Sequence, residues 1–169
     1  MSYETTILKL SEISKKAVSI AAHHPVHELL TLFQSQPELL IIAIADGGVF
    51  LGSISRTDLM NLLSRKFAMD LYARKPVSVL LDDLWLKKVV LRPELSITAA
   101  ALQLLTIDPD LKTDAFPIVK NGHCVGVVAV ADLMMAVVEQ QRSLLKELDR
   151  LALQPREPAR AGLRDPQGN

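Results

Sequence analysis

Ser55 and Asp58 stand three residues apart in the run Gly52-Ser53-Ile54-Ser55-Arg56-Thr57-Asp58. Where a strand gives way to a helix, a hydroxyl and a carboxylate at this spacing straddle the helix N-terminus. The carboxylate can accept two hydroxyl hydrogen bonds at once, as from a ribose diol. The N–H groups of the first helical turn have no partner within the helix and favour a phosphate nearby. Arg56, between the two, has the reach to meet such a phosphate, although an arginine on a surface requires no ligand. The simpler account of Asp58 is an N-cap, for which Asp is a favoured residue. One copy of the motif leaves both accounts open.

The motif occurs twice. Gly126-Val127-Val128-Ala129-Val130-Ala131-Asp132 follows 74 residues later, and Leu59-Met60 returns as Leu133-Met134. Gly48 and Ile44 fall on Gly122 and Ile118 at the same offset. An internal repeat organises the whole reading. Each unit predicts a short strand (Ala17 to Ile20; Val89 to Leu91) and a helix (Val26 to Gln34; Ile97 to Leu105). A proline-containing turn ends each helix. An apolar strand follows (Leu39 to Ala45; Ala115 to Val119), then a tight turn at Asp46-Gly47-Gly48 or Asn121-Gly122. These turn residues tolerate positive φ and suit a hairpin. A further strand ends near Ile54 or Val128, and Asp58 or Asp132 opens a closing helix. The fold class is α/β, two β-α-β-β-α units packed as a pseudo-twofold pair. The duplication favours the binding account of Ser55 and Asp58 over capping alone.

Composition bounds the rest. The chain has 169 residues, 49% apolar and only 4% aromatic, which predicts an aliphatic core. Nineteen Lys and Arg balance nineteen Asp and Glu, against the basic face of a nucleic-acid binder. The single cysteine, Cys124, excludes an internal disulfide. The N-terminus carries no secretory pattern, and no apolar run reaches a membrane-spanning length of about 18 to 20 residues. A cytoplasmic location without membrane contact is expected. His23, His24 and His27 lack the further ligands of a metal site, and Asp82-Asp83 reads as a solvated turn. Neither a nucleophile elbow nor a phosphate-loop lysine is present. No catalytic constellation emerges, so an enzyme is not expected.

The two glycine-to-aspartate motifs resemble those of tandem cystathionine-β-synthase (CBS) domains, the Bateman module. The lead-ins Leu10-Ser11-Glu12-Ile13 and Val77-Ser78-Val79-Leu80, and Phe116-Pro117-Ile118-Val119, carry the same resemblance over about residues 8 to 142. It implies a regulatory module that binds an adenosine-containing ligand (an adenine nucleotide or S-adenosylmethionine) in clefts between two sheets, with no required cofactor. Asp58 and Ser55 would hold the ribose of the first site. Val18, Ser19, Ile20, Leu40 and Ile41 would face its adenine, and Arg56 its phosphate. The second site would use Asp132, Val89, Phe116 and Pro117. Ala129 replaces the hydroxyl there, which implies a weaker or empty site. A dimerisation scaffold with vestigial clefts is the alternative function.

The resemblance divides the chain into a loose N-terminus (1–7), a first unit (8–64), a connector (65–76), a second unit (77–142), a helical extension (143–153) and a disordered tail (154–169). The connector, Phe67 to Val77, further resembles the CBS region of bacterial cyclic-di-GMP signalling proteins. That resemblance implies a fragment or a detached sensory module. Val137, Leu144 and Leu151 recur every seven residues beside Met134, Gln141 and Leu148. This predicts a long C-terminal helix that forms a homodimer or docks an effector.

Overall fold

The computed structural model describes residues 7–83 and 89–155. The start of the expected loose N-terminus (1–6) and most of the expected tail (156–169) lie outside the described residues. The elements in chain order are α1 (Leu10–Ile13), β1 (Ser19–Ala21), α2 (Val26–Ser35), β2 (Ile41–Asp46), β3 (Val49–Ser55), α3 (Arg56–Leu63) and α4 (Ala68–Tyr72). They continue with α5 (Ser78–Asp83), α6 (Ile97–Ile107), β4 (Ala115–Lys120), β5 (His123–Ala129) and α7 (Val130–Ala152). The α/β class and the long last helix are as expected.

The repeat is most exact in its two hairpins. β2–β3 and β4–β5 have the same lengths and the same alternation of buried and exposed positions. Each register slips once, between Ile44 and Ala45 in one and Ile118 and Val119 in the other. The turns match too, with Gly47 and Gly48 at φ of 55° and 83°, and Asn121 and Gly122 at 51° and 76°. Two successive positive φ values give a turn whose twist suits an antiparallel hairpin. β1 adds a parallel strand to the first sheet, pairing Ile20 with Ile44.

The expected strand Val89 to Leu91 does not form. Leu91 makes one parallel bridge to Ile118, with its N–H on the Pro117 carbonyl (3.3 Å) and its carbonyl accepting from Val119 (3.0 Å). Pro93 follows two residues later, has no N–H to continue a ladder, and restricts Arg92 before it. Asp82 and Asp83 lie in the last turn of α5 rather than in a solvated turn.

β2 and β4 are buried on both faces. Ile42 and Ile44 pack in a first core with Leu29, Phe33 and Leu59, while Phe116 and Ile118 pack in a second with Leu104 and Leu133. Ile41, Ala43, Ala115 and Pro117 are also buried, on the opposite faces of the same strands, and contacts join β2 to β4 and β3 to both β4 and β5. The turns are tied as well. Phe50 donates its N–H to the Gly122 carbonyl, and His123 Nδ1 bonds the Gly48 carbonyl, both at 2.7 Å.

Neither core is built from one repeat. Leu10, at the start of the chain, is fully buried in the second core. Val77 and Leu80, which lead into the second repeat, are buried in the first. The chain after α1 crosses β5, where Lys15 and Val127 exchange two backbone hydrogen bonds of 2.8 and 2.9 Å. Gly126 permits that crossing, because a Cβ there would lie 3.1 Å from the Lys15 carbonyl oxygen and 3.2 Å from Ser14 Cβ and Oγ.

Two compact units divide the chain. Met1–Val137 contains both cores, and Val138–Asn169 contains the remainder of α7. In the latter, Leu145, Leu148 and Leu151 are exposed.

Gly126→Ala should cost about 1–2 kcal/mol, the usual range for overpacking, because the carbonyl it meets is held by a bonded ladder. Urea denaturation of the two proteins measures it. Equal midpoints would show that the crossing segment yields.

Candidate functional site

Ser55, not Asp58, caps α3. Its hydroxyl accepts from the Asp58 N–H at 3.0 Å and donates to the Asp58 carboxylate at 2.7 Å. Asp58 is therefore the third residue of the helix, and the expectation that it opens the helix is corrected by this reciprocal pair. A carboxylate offers about four lone-pair sites, so one bond from Ser55 orients it and leaves room for a diol. Both side chains are half-buried.

Several expected residues converge on this helix start. Ile41 pairs with Ser55 across the hairpin, and the Leu40 carbonyl accepts the Arg56 N–H at 2.8 Å. Leu40 is partly exposed and Ile41 buried. Val18 and Ser19 lie along β2, where the Val18 carbonyl accepts from Ala43 at 2.9 Å. Ile20 is different: its side chain packs in the first core rather than at the start of α3.

Arg56 turns away from any phosphate. Its Nε donates to the Leu39 carbonyl (3.0 Å), its Nη2 to the Gln36 carbonyl (2.6 Å), and its guanidinium lies 4.9 Å from the Phe33 ring centroid. Those carbonyls follow the C-terminus of α2, where a cation complements the helix dipole and the last unpaired acceptors. These bonds engage Arg56 with the protein itself.

The second motif is built differently. α7 begins at Val130 after Ala129, which has no hydroxyl to cap it. Asp132 pairs with Lys15 at 3.4 Å, at the crossing over β5. The pair is largely open to solvent, so its contribution to stability is small. Val89 and Phe116, expected as ligand walls, belong to the second core, at 3% and 0% exposure. Pro117 is buried, and its carbonyl serves the Leu91 bridge.

Sequence reasoning missed Thr57 and Asp114. The Thr57 hydroxyl donates to the Asp114 carboxylate at 2.9 Å, and the Asp114 carbonyl accepts the Val130 N–H at 2.8 Å. Asp114 occupies the place in the second repeat that Leu40 occupies in the first, each bonded to the first residue of the helix after its hairpin. The repeat offset identifies that equivalence, but nothing in the sequence predicts the bond to Thr57.

A cavity of about 510 Å³ lies elsewhere, between β1 and α2, lined by Ser19, Ile20, His24, His27, Glu28 and Thr31 among others. Neither Ser55 nor Asp58 lines it. His24 Nδ1 bonds the Glu28 carboxylate one helical turn on. Among the described residues no group of three or more His, Cys, Asp or Glu side chains could hold a metal ion. No helix among them is long and apolar enough to cross a membrane. Burial pushes the Cys124 thiol up from its ordinary pKa, which makes it a poor nucleophile.

With this geometry in hand, the comparisons with known proteins agree with the architecture. Residues 70–139 match the model of the CBS domain. The acetoin utilization protein AcuB from Vibrio cholerae is similar in structure, at TM-score 0.59 and 16% identity, covering 90% of this chain and 99% of that one. So is CBSX2 in complex with AMP, at TM-score 0.59 and 18% identity, covering 79% and 98%. The cytosolic domain of the Mg2+ channel MgtE in complex with ATP is also similar, at TM-score 0.52 and 21% identity, covering 71% and 44%. No curated protein matches the chain in sequence. Residues 70–139 thus match a CBS domain, and the fold of the chain is that of a CBS domain pair.

Arg56→Ala should destabilise the protein by about 1–2 kcal/mol, the worth of charge-assisted hydrogen bonds at a half-exposed site. Chemical denaturation is the check. An unchanged stability would return Arg56 to the role of a free surface cation.

Proposed function

We propose that the protein is a non-catalytic regulatory module that binds an adenosine-containing ligand at the start of α3. The observation that carries this reading is the Ser55–Asp58 pair, a carboxylate held in place by a hydroxyl beside Leu40 and Ile41 at a helix N-terminus. Its support from relatives is that structures of the same fold hold AMP or ATP. Ligand binding acts by preferring one arrangement of the two repeats, since only a difference in affinity between states moves an equilibrium. The site sits in a cytoplasmic protein on this reading, and its output is a partner or effector that meets α7.

Asp58→Ala should weaken binding of such a ligand by at least about tenfold, because hydrogen bonds to a charged group are worth roughly 1.5–3 kcal/mol. Titration calorimetry with adenosine, AMP, ADP, ATP and S-adenosylmethionine measures it. Undiminished affinity in the variant would remove the ribose role from Asp58.

The scaffold alternative draws on the second motif, where Ala129 and the Lys15–Asp132 pair leave little for a ligand. Both readings share a homodimer through α7. Leu148 and Leu151 are 62% and 50% exposed, and Leu144 lies one turn before Leu148 on the same face. Burying each leucine contributes about 1.5–3 kcal/mol, counted twice by a symmetric interface. Leu144→Asp with Leu148→Asp should shift the protein toward monomer in sedimentation at micromolar concentration, with its circular dichroism unchanged. A variant as dimeric as the wild type would place the interface elsewhere.

A further inference from the structure

We infer that Asp114 sets the ligand preference of the α3 site, disfavouring phosphorylated adenosine compounds against those with an uncharged or cationic substituent on the ribose. The inference rests on the adenosine reading of Ser55 and Asp58 and adds the part of the ligand beyond the ribose.

Three observations converge. The motif's own cation is committed, since Arg56 donates to the Gln36 and Leu39 carbonyls and lies over Phe33. The residues joining Arg56 to the hairpin, Leu40 and Ile41, are aliphatic and bring no charge. Asp114 supplies a charge of the wrong sign for phosphate. Its carboxylate is bonded to Thr57, the neighbour of Asp58, while its carbonyl is bonded to Val130 at the start of α7. Asp114 therefore bridges the two helix starts, with its carboxylate bonded at one and its backbone carbonyl at the other.

A helix N-terminus ordinarily attracts anions through its free N–H groups. Here the Asp58 N–H is taken by Ser55 and the Arg56 N–H by Leu40, while Asp58 and Asp114 place two carboxylates around the same turn. Asp114 is bonded to Thr57, the neighbour of Asp58, and the inference places the 5′ substituent of a ribose held by Asp58 on that side. A phosphate dianion there meets repulsion, and a sulfonium or ammonium group meets attraction. Asp114 and Thr57 are both exposed, so the effect is screened and depends on salt.

The test is calorimetry on the whole chain with adenosine, AMP, ATP and S-adenosylmethionine, for wild type, Asp114→Asn and Asp114→Leu. The asparagine keeps an acceptor for Thr57, and the leucine copies the first repeat. In wild type at low salt, adenosine and S-adenosylmethionine should bind about tenfold more tightly than AMP, the order expected of charges about 4 Å apart in bulk water, as suits an exposed carboxylate. Both variants should bring AMP to within about threefold of adenosine, with adenosine affinity unchanged. Higher salt should narrow the wild-type gap. If AMP or ATP binds wild type as tightly as adenosine and the binding needs Asp58, the ligand reading stands and the inference falls. A gap that persists in both variants likewise overturns the role of Asp114. If none of the four compounds binds wild type, the adenosine reading itself fails, and the inference with it.

Discussion

Each core of this protein is closed by a segment from the other repeat, and the rest of the architecture depends on that exchange. Leu10 completes the second core, and Val77 with Leu80 completes the first. A repeat folded alone would leave buried aliphatic surface open, at roughly 25 cal/mol per Å². The exchange also brings the chain over β5, where glycine suits position 126: a Cβ there would press on the passing Lys15 carbonyl at 3.1 Å. The same crossing carries Lys15 to Asp132. One packing constraint thus reaches from the hydrophobic interior to the second candidate cleft.

The two helix starts show how a duplicated backbone supports unequal chemistry. The hairpins before α3 and α7 match in burial, bulge and turn. What differs is the side chains mounted on them. Ser55 becomes Ala129, Arg56 becomes Val130, and Leu40 becomes Asp114. The first helix start gains a cap and an oriented carboxylate. The second loses its cap, and its carboxylate meets a lysine instead. Backbone symmetry is preserved by the core, which constrains only buried positions. Most of the differing positions are exposed or half-exposed, while Val130 joins the second core.

The sequence made the repeat, the α/β class, both hairpins and the long last helix legible, because glycine turns and period-two apolar runs are local signals. Ser55 and Asp58 were legible for the same reason: a hydroxyl and a carboxylate three apart act within one helical turn. Long-range contacts were not. Arg56 reads as a surface cation until the fold brings the end of α2 beneath it, and Asp114 reads as a loop residue until Thr57 arrives 57 residues away in sequence. The burial of Val89 and Phe116 is not legible either, because an apolar residue in a short strand looks the same whether it faces a cleft or a core. The absence of a strand at Val89 to Leu91 has a local signal, since Pro93 limits any ladder there.

The central claim is that the two pseudo-equivalent helix starts are unequal as ligand sites, the start of α3 being the stronger and the start of α7 weaker or empty. Binding stoichiometry tests it most directly. Calorimetry with the tightest-binding adenosine compound at saturating concentration should give one molecule per chain, or two steps of clearly separated affinity with the weaker one strengthened in Ala129→Ser. Two equivalent sites per chain would contradict the account, because the differences at Ala129, Val130 and Lys15 would then have no effect on what the clefts can hold.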